Sequence, residues 1–215
     1  MRKSLRLAVP KGRLLDDVLE YLGNRGMDIV FASRRLSAVD SKGHLEAVKV
    51  KNSDLPTYVH HGITGLGIAG DDVVAESGKA FTRLHTFPFG ATRLCIAAPV
   101  GTPAPNHFGG MVRVATSYVR MAREWFHRRG IPVKIIRLGG SVELACALGL
   151  ADYIIDLVET GHTLTANGLE PIVTMEEIRV RLIANPAYFK LNYDEIQQLT
   201  DKLAGGSDDR HETDN

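Results

Sequence analysis

The chain has 215 residues, and at roughly 150 residues per domain this length predicts one large domain or two small ones. Hydrophobic residues make up 44% of the chain and charged residues 24%, a composition that can bury a sizeable core. Lys and Arg number 26 against 25 Asp and Glu, so the net charge of +1 argues against a general nucleic-acid binder. The same balance allows a small anionic ligand to be held in one local pocket.

Nothing in the sequence points to a membrane or to an oxidising compartment. The apolar run at the N-terminus, Leu7 to Val9, is too short for a signal peptide, and no stretch approaches the roughly 20 apolar residues of a membrane span. Cys95 and Cys146 lie far apart in apolar settings, which argues against a disulfide framework or a zinc cluster. We therefore expect a cytoplasmic protein.

Strands and helices alternate through the first part of the chain. A strand at residues 5–9 leads through a Pro-Lys-Gly-Arg loop into an amphipathic helix at residues 14–22. Further strands are predicted at residues 29–31, 45–50 and 66–69, and helices at 55–61 and from residue 71.

A second series of elements begins near residue 92. Strands are predicted at residues 92–99, 112–116, 133–138 and 153–158, and helices at 119–129 and 139–148. Residues 101–110, rich in Pro and Gly, are predicted to form a surface loop. Two helices close the chain, the second starting at Asn192 with Glu195 in a capping-box position. The alternation predicts an α/β protein of two lobes, with ligands at the carboxyl ends of strands.

The strongest chemical signal follows the strand at residues 153–158. The turn there holds Gly161 and three threonines, Thr160, Thr163 and Thr165. A glycine admits close approach of an anion, amide groups at a helix start point toward it, and hydroxyls add donors, so the segment predicts a cradle for a phosphate monoester. Asp156 and Glu159 stand beside it, where they could accept hydrogen bonds from a sugar or hold Mg²⁺. The pattern also fits a threonine-capped helix that binds no ligand.

Two further patterns suggest anion sites. Gly65, Gly67 and Gly70 match G-x-G-x-x-G, but they embrace a strand instead of following one, so close packing explains them better than a dinucleotide site. Lys11 and Arg13 lie in the first strand-to-helix loop, and Lys49 and Lys51 flank Val50 and are predicted to share one face. These cations could bind an anion or form a solvated basic surface.

The sequence offers no candidate for covalent catalysis. None of the 8 histidines has the spacing of a metal-binding motif, and neither a G-x-S-x-G elbow nor a P-loop occurs. Binding combined with charge stabilisation is therefore the favoured means of catalysis.

A family resemblance rests on one long run and several short segments. The run includes residues 140–145, 149–152, 156–164 and 167–169, and the shorter agreements lie at residues 8–14, 53–59 and 66–73. Spanning roughly residues 5–190, these segments closely resemble ATP phosphoribosyltransferase, which performs the first step of histidine biosynthesis.

The resemblance implies a fold and an assembly. The two lobes would resemble the type II periplasmic-binding-protein fold, with residues 1–91 plus 186–215 in lobe one and 92–185 in lobe two. The length resembles the short form of the enzyme, which works with a regulatory subunit similar to the histidyl-tRNA synthetase catalytic core in a hetero-octamer. Without that subunit a homodimer is expected. Neither nucleic acid nor a membrane is an expected partner.

The resemblance also implies a reaction and its residues. N1 of ATP would attack C1 of the ribose of phosphoribosyl pyrophosphate with inversion, releasing pyrophosphate, assisted by Mg²⁺ carried mainly by the substrate phosphates. Lys11, Arg13 and Lys51 would be the catalytic cations, and Lys11, Gly12 and Arg13 would bind ATP. The phosphoribosyl pyrophosphate site would comprise Glu143, Asp156, Glu159, Thr160, Gly161, His162, Thr163, Leu164 and Thr165.

Three departures from the family pattern leave alternatives open. Lys51 stands where the family usually has Arg, Ser117 and Val119 stand where Lys and Pro are common, and residues 90–93 read Gly-Ala-Thr-Arg in place of Gly-Arg-Cys-Arg. An inactive member of the family is thus one alternative, and a solute-binding module of the same two-lobe fold is another. A type I phosphoribosyltransferase is disfavoured, because Asp156 and Glu159 are not adjacent.

Overall fold

The computed structural model of the protein describes residues 4–106, 108 and 110–205. This part of the chain forms two compact units, the first built from residues 4–74, 79–90 and 180–205 and the second from residues 75–78 and 91–179. Each unit has its own sheet and helices, which confirms the predicted α/β class.

Strands and helices follow the chain in this order. The strands are β1 (Leu5–Pro10), β2 (Ser37–Val39), β3 (Leu45–Val50), β4 (Leu66–Gly70), β5 (Thr82–Thr86), β6 (Thr92–Pro99), β7 (Val112–Thr116), β8 (Val133–Arg137), β9 (Tyr153–Val158), β10 (Leu169–Ile178) and β11 (Val180–Ala184). The helices are α1 (Leu14–Gly23), α2 (Leu55–His60), α3 (Asp71–Ser77), α4 (Val119–Arg128), α5 (Leu144–Ala147), α6 (His162–Ala166), α7 (Pro186–Leu191) and α8 (Tyr193–Ala204). None of the helices in these ranges is long and apolar enough to cross a bilayer.

The sheet of the first unit has the order β2-β3-β1-β4-β11-β5. Strands β3, β1 and β4 are parallel to one another, whereas β11 is antiparallel to both β4 and β5. Every residue of β4 is buried, as expected for a strand that is covered on both faces. The carboxyl ends of β1, β3 and β4 therefore meet at one edge of this sheet.

The sheet of the second unit has the order β10-β6-β9-β7-β8. Strands β7, β8 and β9 are parallel, and β6 is antiparallel to both β9 and β10. Helix α4 packs on this sheet through Met121, Ala122 and Phe126, which are buried with apolar residues of the strands. The carboxyl ends of β7, β8 and β9 again meet at one edge.

Glycines in the G-x-G-x-x-G match serve close packing, as the sequence indicates. A Cβ atom on Gly67 would lie 2.7 Å from side-chain atoms of both Leu55 and Val59 of α2. A Cβ on Gly65 would lie 2.1 Å from the ring of Tyr188. Neither contact is tolerable for a real Cβ, so helices approach β4 only because these residues are glycine.

Three expectations for secondary structure are wrong, and the lobe boundaries also differ, since residues 75–78 and 91, predicted for lobe one, belong to the second unit. Residues 29–31 form no strand, and the side chain of Val30 is 81% exposed; the strand of this region is β2. The helix predicted at residues 139–148 is reduced to the four residues of α5, since the glycines before it form a bend and Ser141 has a φ of 49°.

Residues 180–185, predicted for lobe two, belong to the first unit, because β11 pairs with β4 and β5. The predicted capping box at Asn192 is absent, since its side-chain amide donates to the Tyr188 carbonyl instead.

Candidate functional site

The basic loops of the first unit lie on neighbouring strands. Pro10 and Val50 are paired residues at the end of the parallel β1–β3 ladder, and the amide of Lys11 donates to the Val50 carbonyl at 2.8 Å. Lys51 follows Val50 directly, so the backbones of Lys11 and Lys51 leave the sheet side by side. The residues predicted here, Lys11, Gly12, Arg13 and Lys51, are all exposed. This placement at the carboxyl edge is the one at which open α/β sheets bind ligands.

Lys49 does not share the position of Lys51. The Lys49 ammonium lies 4.2 Å from the centroid of the Phe31 ring, a cation–π contact near the β2 side of the sheet. The Lys49 ammonium therefore has an aromatic partner, which leaves Lys51 as the lysine of this pair at the carboxyl edge.

Sequence reasoning missed an ionic network at the same edge. Asp71 follows β4 directly, and its carboxylate accepts from Arg181 Nε at 3.1 Å and lies 3.6 Å from Arg83 Nε. Arg181 also donates to the hydroxyl of Thr86. Arg181 comes from β11, which was not predicted, so no sequence signal placed it beside Asp71. The network adds two guanidinium groups near the carboxyl end of β4.

The predicted phosphate cradle is the turn between β9 and α6 in the second unit. Gly161 precedes α6 with a φ of 80°, a left-handed conformation that an L-residue adopts only at a cost. The side chains of Thr160, Thr163 and Thr165 are exposed beside it. Leu164 is only 6% exposed and packs in the apolar core, so it can offer a ligand nothing but its backbone.

The three threonine hydroxyls are not equivalent. Thr165 Oγ1 donates to the Gly161 carbonyl at 3.2 Å, which commits its proton to the protein in this arrangement. The carbonyl of Thr163 accepts from the Asn167 side chain at 2.9 Å, a contact that ties the end of α6 to its first turn. Thr92, one of the departures from the family pattern, donates to the Val158 carbonyl at 3.0 Å and so holds the residue before the cradle.

Two acidic side chains lie near the cradle. Burial raises the pKa of the Asp156 carboxyl above its ordinary value, a hydrogen bond of 2.8 Å from the Leu157 amide opposes that rise, and the negative charge of Glu143 adds to it. Glu143, which the resemblance implies as part of this site, thus interacts electrostatically with Asp156. Carboxylate oxygens are ligands that Mg²⁺ prefers, and a cation between the two groups would relieve their repulsion.

The predicted residues therefore fall into two sets. Lys11, Gly12, Arg13 and Lys51 lie at the carboxyl edge of the first sheet, and the remaining nine lie around the end of β9 and the loop before α5. Among the residues that the structure describes, no group of three or more His, Cys, Asp or Glu side chains could hold a metal ion.

Comparison with known proteins finds the same enzyme family repeatedly. A family model described as ATP phosphoribosyltransferase matches residues 51–205. The chain is 40% identical over 212 residues to an ATP phosphoribosyltransferase of Ectopseudomonas mendocina (strain ymp), with 97% of this chain and 99% of the relative covered. An ATP phosphoribosyltransferase of Alkaliphilus metalliredigens (strain QYMF) is 39% identical over 203 residues, with 93% and 96% covered.

Solved structures agree with the sequence relatives. A chain of the ATP phosphoribosyl transferase (HisG:HisZ) complex from Thermotoga maritima has a TM-score of 0.83 at 32% identity, with 94% of this chain and 98% of that chain covered. The periplasmic aliphatic sulphonate binding protein SsuA from Escherichia coli has a TM-score of 0.64 at 14% identity, with 96% and 73% covered. The second likeness shows the fold alone, and it confirms the expected periplasmic-binding-protein type.

Proposed function

This chain belongs to the ATP phosphoribosyltransferase family, and from that premise we propose which of its residues bind the two substrates and promote the transfer. The family reaction joins N1 of the adenine of ATP to C1 of the ribose of phosphoribosyl pyrophosphate and releases pyrophosphate. It opens histidine biosynthesis and is a glycosyltransferase reaction. We place it in the cytoplasm.

The 5′-phosphate of phosphoribosyl pyrophosphate binds in the turn from Glu159 to Thr165. The positive φ of Gly161 turns the chain sharply into α6 without a side chain at the closest point of approach. Exposed Thr160 and Thr163 are the side-chain donors best suited to the anion, with the backbone of residues 161–164 supplying the remainder. This turn is the single observation that carries the assignment of the substrate.

Asp156 accepts hydrogen bonds from the ribose hydroxyls, with Glu143 as its helper. Half-buried carboxylates that repel each other are a suitable place for a divalent cation, which members of an ATP-dependent transferase family generally require. We propose that Mg²⁺ is held there by Asp156 and Glu143 together with substrate phosphates. When bound, this ion supplies positive charge to the departing pyrophosphate.

Lys11, Arg13 and Lys51 bind and stabilise phosphate groups at the edge of the first sheet, with Gly12 in the ATP-binding loop. Negative charge gathers on the pyrophosphate as its bond to C1 breaks, while the ribose becomes similar to an oxocarbenium ion. Fixed cations directed at the leaving oxygens lower the barrier, and one well-placed group of this kind contributes about 3 kcal/mol. Attack by N1 from the opposite face inverts the configuration at C1.

The assembly proposed for this chain includes a regulatory subunit. The Thermotoga maritima chain with the same fold was solved as a HisG:HisZ complex. We propose that this chain likewise binds a subunit similar to the histidyl-tRNA synthetase catalytic core in a hetero-octamer, and forms a homodimer without it.

A direct assay tests the proposal. The protein is mixed with ATP, phosphoribosyl pyrophosphate, Mg²⁺ and a pyrophosphatase, and ultraviolet absorbance follows the formation of N1-ribosylated adenine. The same assay is repeated with a regulatory subunit added. We expect product in both cases; absence of product in both, from a folded protein, would identify an inactive member of the family.

A further inference from the structure

Thr116 is a buried polar residue at the carboxyl end of β7. Its side chain is 0% exposed, and its hydroxyl donates to the Ile155 carbonyl at 2.7 Å and accepts from the Tyr118 amide at 2.9 Å. Its own carbonyl accepts from the Leu138 amide at 3.0 Å. One residue therefore connects three segments of the second unit.

Two of these segments lead directly to the proposed substrate site. Ile155 precedes Asp156, and Leu138 precedes the glycine loop that leads to Glu143. The β7–β9 ladder ends at the pair Thr116 and Ile155, whereas β9 continues to Val158 paired on its other side with β6. The Thr116 hydroxyl thus binds β9 at the last ladder pair with β7, one residue before Asp156.

We propose that Thr116 is a positioning residue for phosphoribosyl pyrophosphate. Its hydroxyl fixes the Ile155 carbonyl, and through it the position of Asp156, the next residue of β9, relative to the loop that carries Glu143. The inference rests on the proposed function, because it takes Asp156 and Glu143 as substrate-binding groups. Thr116 itself touches no substrate.

The hydroxyl, not the shape of the side chain, carries this role. Valine has nearly the same volume as threonine, but it can neither donate to Ile155 nor accept from Tyr118. The Tyr118 amide would then lose its acceptor and the Ile155 carbonyl would lose this donor in a buried environment, which would loosen β9 at the residue before Asp156. The backbone bond to Leu138 would survive, so the glycine loop would keep its anchor.

Three variants and steady-state kinetics test the inference. We expect Thr116→Val to raise KM for phosphoribosyl pyrophosphate about tenfold, the size of effect expected for the loss of one hydrogen bond to the backbone. KM for ATP should change less than about twofold. Thr116→Ser, which keeps the hydroxyl, should restore KM to within about twofold of the unmodified protein. Phe126→Leu is the control, because it loosens the buried core of the same unit but keeps both hydrogen bonds of the Thr116 hydroxyl.

The possible results separate a positioning role from a structural one. The proposal would be overturned if Thr116→Val and Phe126→Leu lowered the melting temperature equally and also raised KM for phosphoribosyl pyrophosphate equally. It would also be overturned if Thr116→Ser did not restore that KM. If Thr116→Val does not fold, Thr116→Cys, a weak donor of similar size, replaces it and should give an intermediate KM. Lack of phosphoribosyl pyrophosphate binding by the unmodified protein would instead overturn the proposed function.

Discussion

The amide of Lys11 donates to the carbonyl of Val50 across the end of two parallel strands, at 2.8 Å. This bond fixes the main chain of Lys11 relative to that of Lys51, although the two lysines are 40 residues apart in the sequence. Both side chains are exposed, so neither contributes to the core. Removing one ammonium group should therefore change the charge at this edge without changing the backbone.

Lys51→Ala should lower turnover more than substrate affinity. Loss of one cation that stabilises the departing pyrophosphate is expected to reduce kcat by about 10- to 100-fold, with KM values for both substrates within about threefold. Lys49→Ala is the matched control, since its ammonium contacts the Phe31 ring instead. Normal turnover in Lys51→Ala would remove this residue from the mechanism.

Thr160→Val and Thr163→Val should each weaken binding of phosphoribosyl pyrophosphate. A hydrogen bond to a charged phosphate contributes about 1.5–3 kcal/mol, so calorimetric titration should show a loss of at least about tenfold. Thr165→Val should lose less, because the Thr165 hydroxyl donates to the Gly161 carbonyl. Circular dichroism should show that all three variants remain folded. Unchanged affinity in the first two would contradict the cradle.

Gly161→Ala should lose substrate binding as well as stability. A Cβ atom at this position would contact only Val158, at 3.9 Å, so space is available. The cost is the left-handed conformation at a φ of 80°, about 1–2 kcal/mol. Gly168→Ala is the control. Gly168 also has a positive φ, 68°, a Cβ atom there would have no neighbour within 4 Å, and the residue lies outside the cradle. We expect similar losses of melting temperature in the two variants but loss of phosphoribosyl pyrophosphate binding only in Gly161→Ala. Equal affinities would argue that the turn binds no phosphate.

Asp156→Asn should stabilise the protein and inactivate it. The pKa of the Asp156 carboxyl is higher in the folded protein than in the unfolded chain, so ionisation of this group destabilises the fold. The destabilisation grows as the pH rises from the pKa in the unfolded chain to the pKa in the folded protein, and it is complete at higher pH. The neutral amide removes that cost. Thermal melts should therefore show a higher melting temperature for the variant at pH 7 and a smaller difference at acidic pH, while kcat/KM falls about 100-fold. A lower melting temperature at pH 7 would contradict this account of the site.

The sequence predicted most of the strands, and an irregular hydrophobic pattern explains two of those that it missed. Strands β1, β3, β4, β6, β7, β8 and β9 lie where their hydrophobic patterns indicate. Strand β10 carries Pro171 and several glutamates and pairs irregularly with β6, with two register shifts, so its pattern is not that of a regular strand. Strand β5 lies at a sheet edge, where exposed polar residues such as Arg83 alternate with partly buried ones.

Local patterns could place the candidate site residues on loops. They could not identify the residues whose hydrogen bonds and ion pairs join distant segments near the site. The Gly161 turn and the basic residues after β1 and β3 are local signals. Thr116 gave no such signal, because its role depends on a hydroxyl that reaches Ile155, 39 residues later. No local pattern indicates the ion pair of Arg181 for the same reason, since its partner Asp71 lies 110 residues earlier in the sequence.

The position of β11 between β4 and β5 also determines when the first sheet can be completed during synthesis. The second sheet uses strands that emerge without interruption between residues 92 and 178. The first sheet must wait for residues 180–184, and until then β5, which in the described residues pairs with β11, has no neighbour. The first sheet therefore cannot be completed before the strands of the second have been synthesised, and β5 has an unpaired edge until β11 is available.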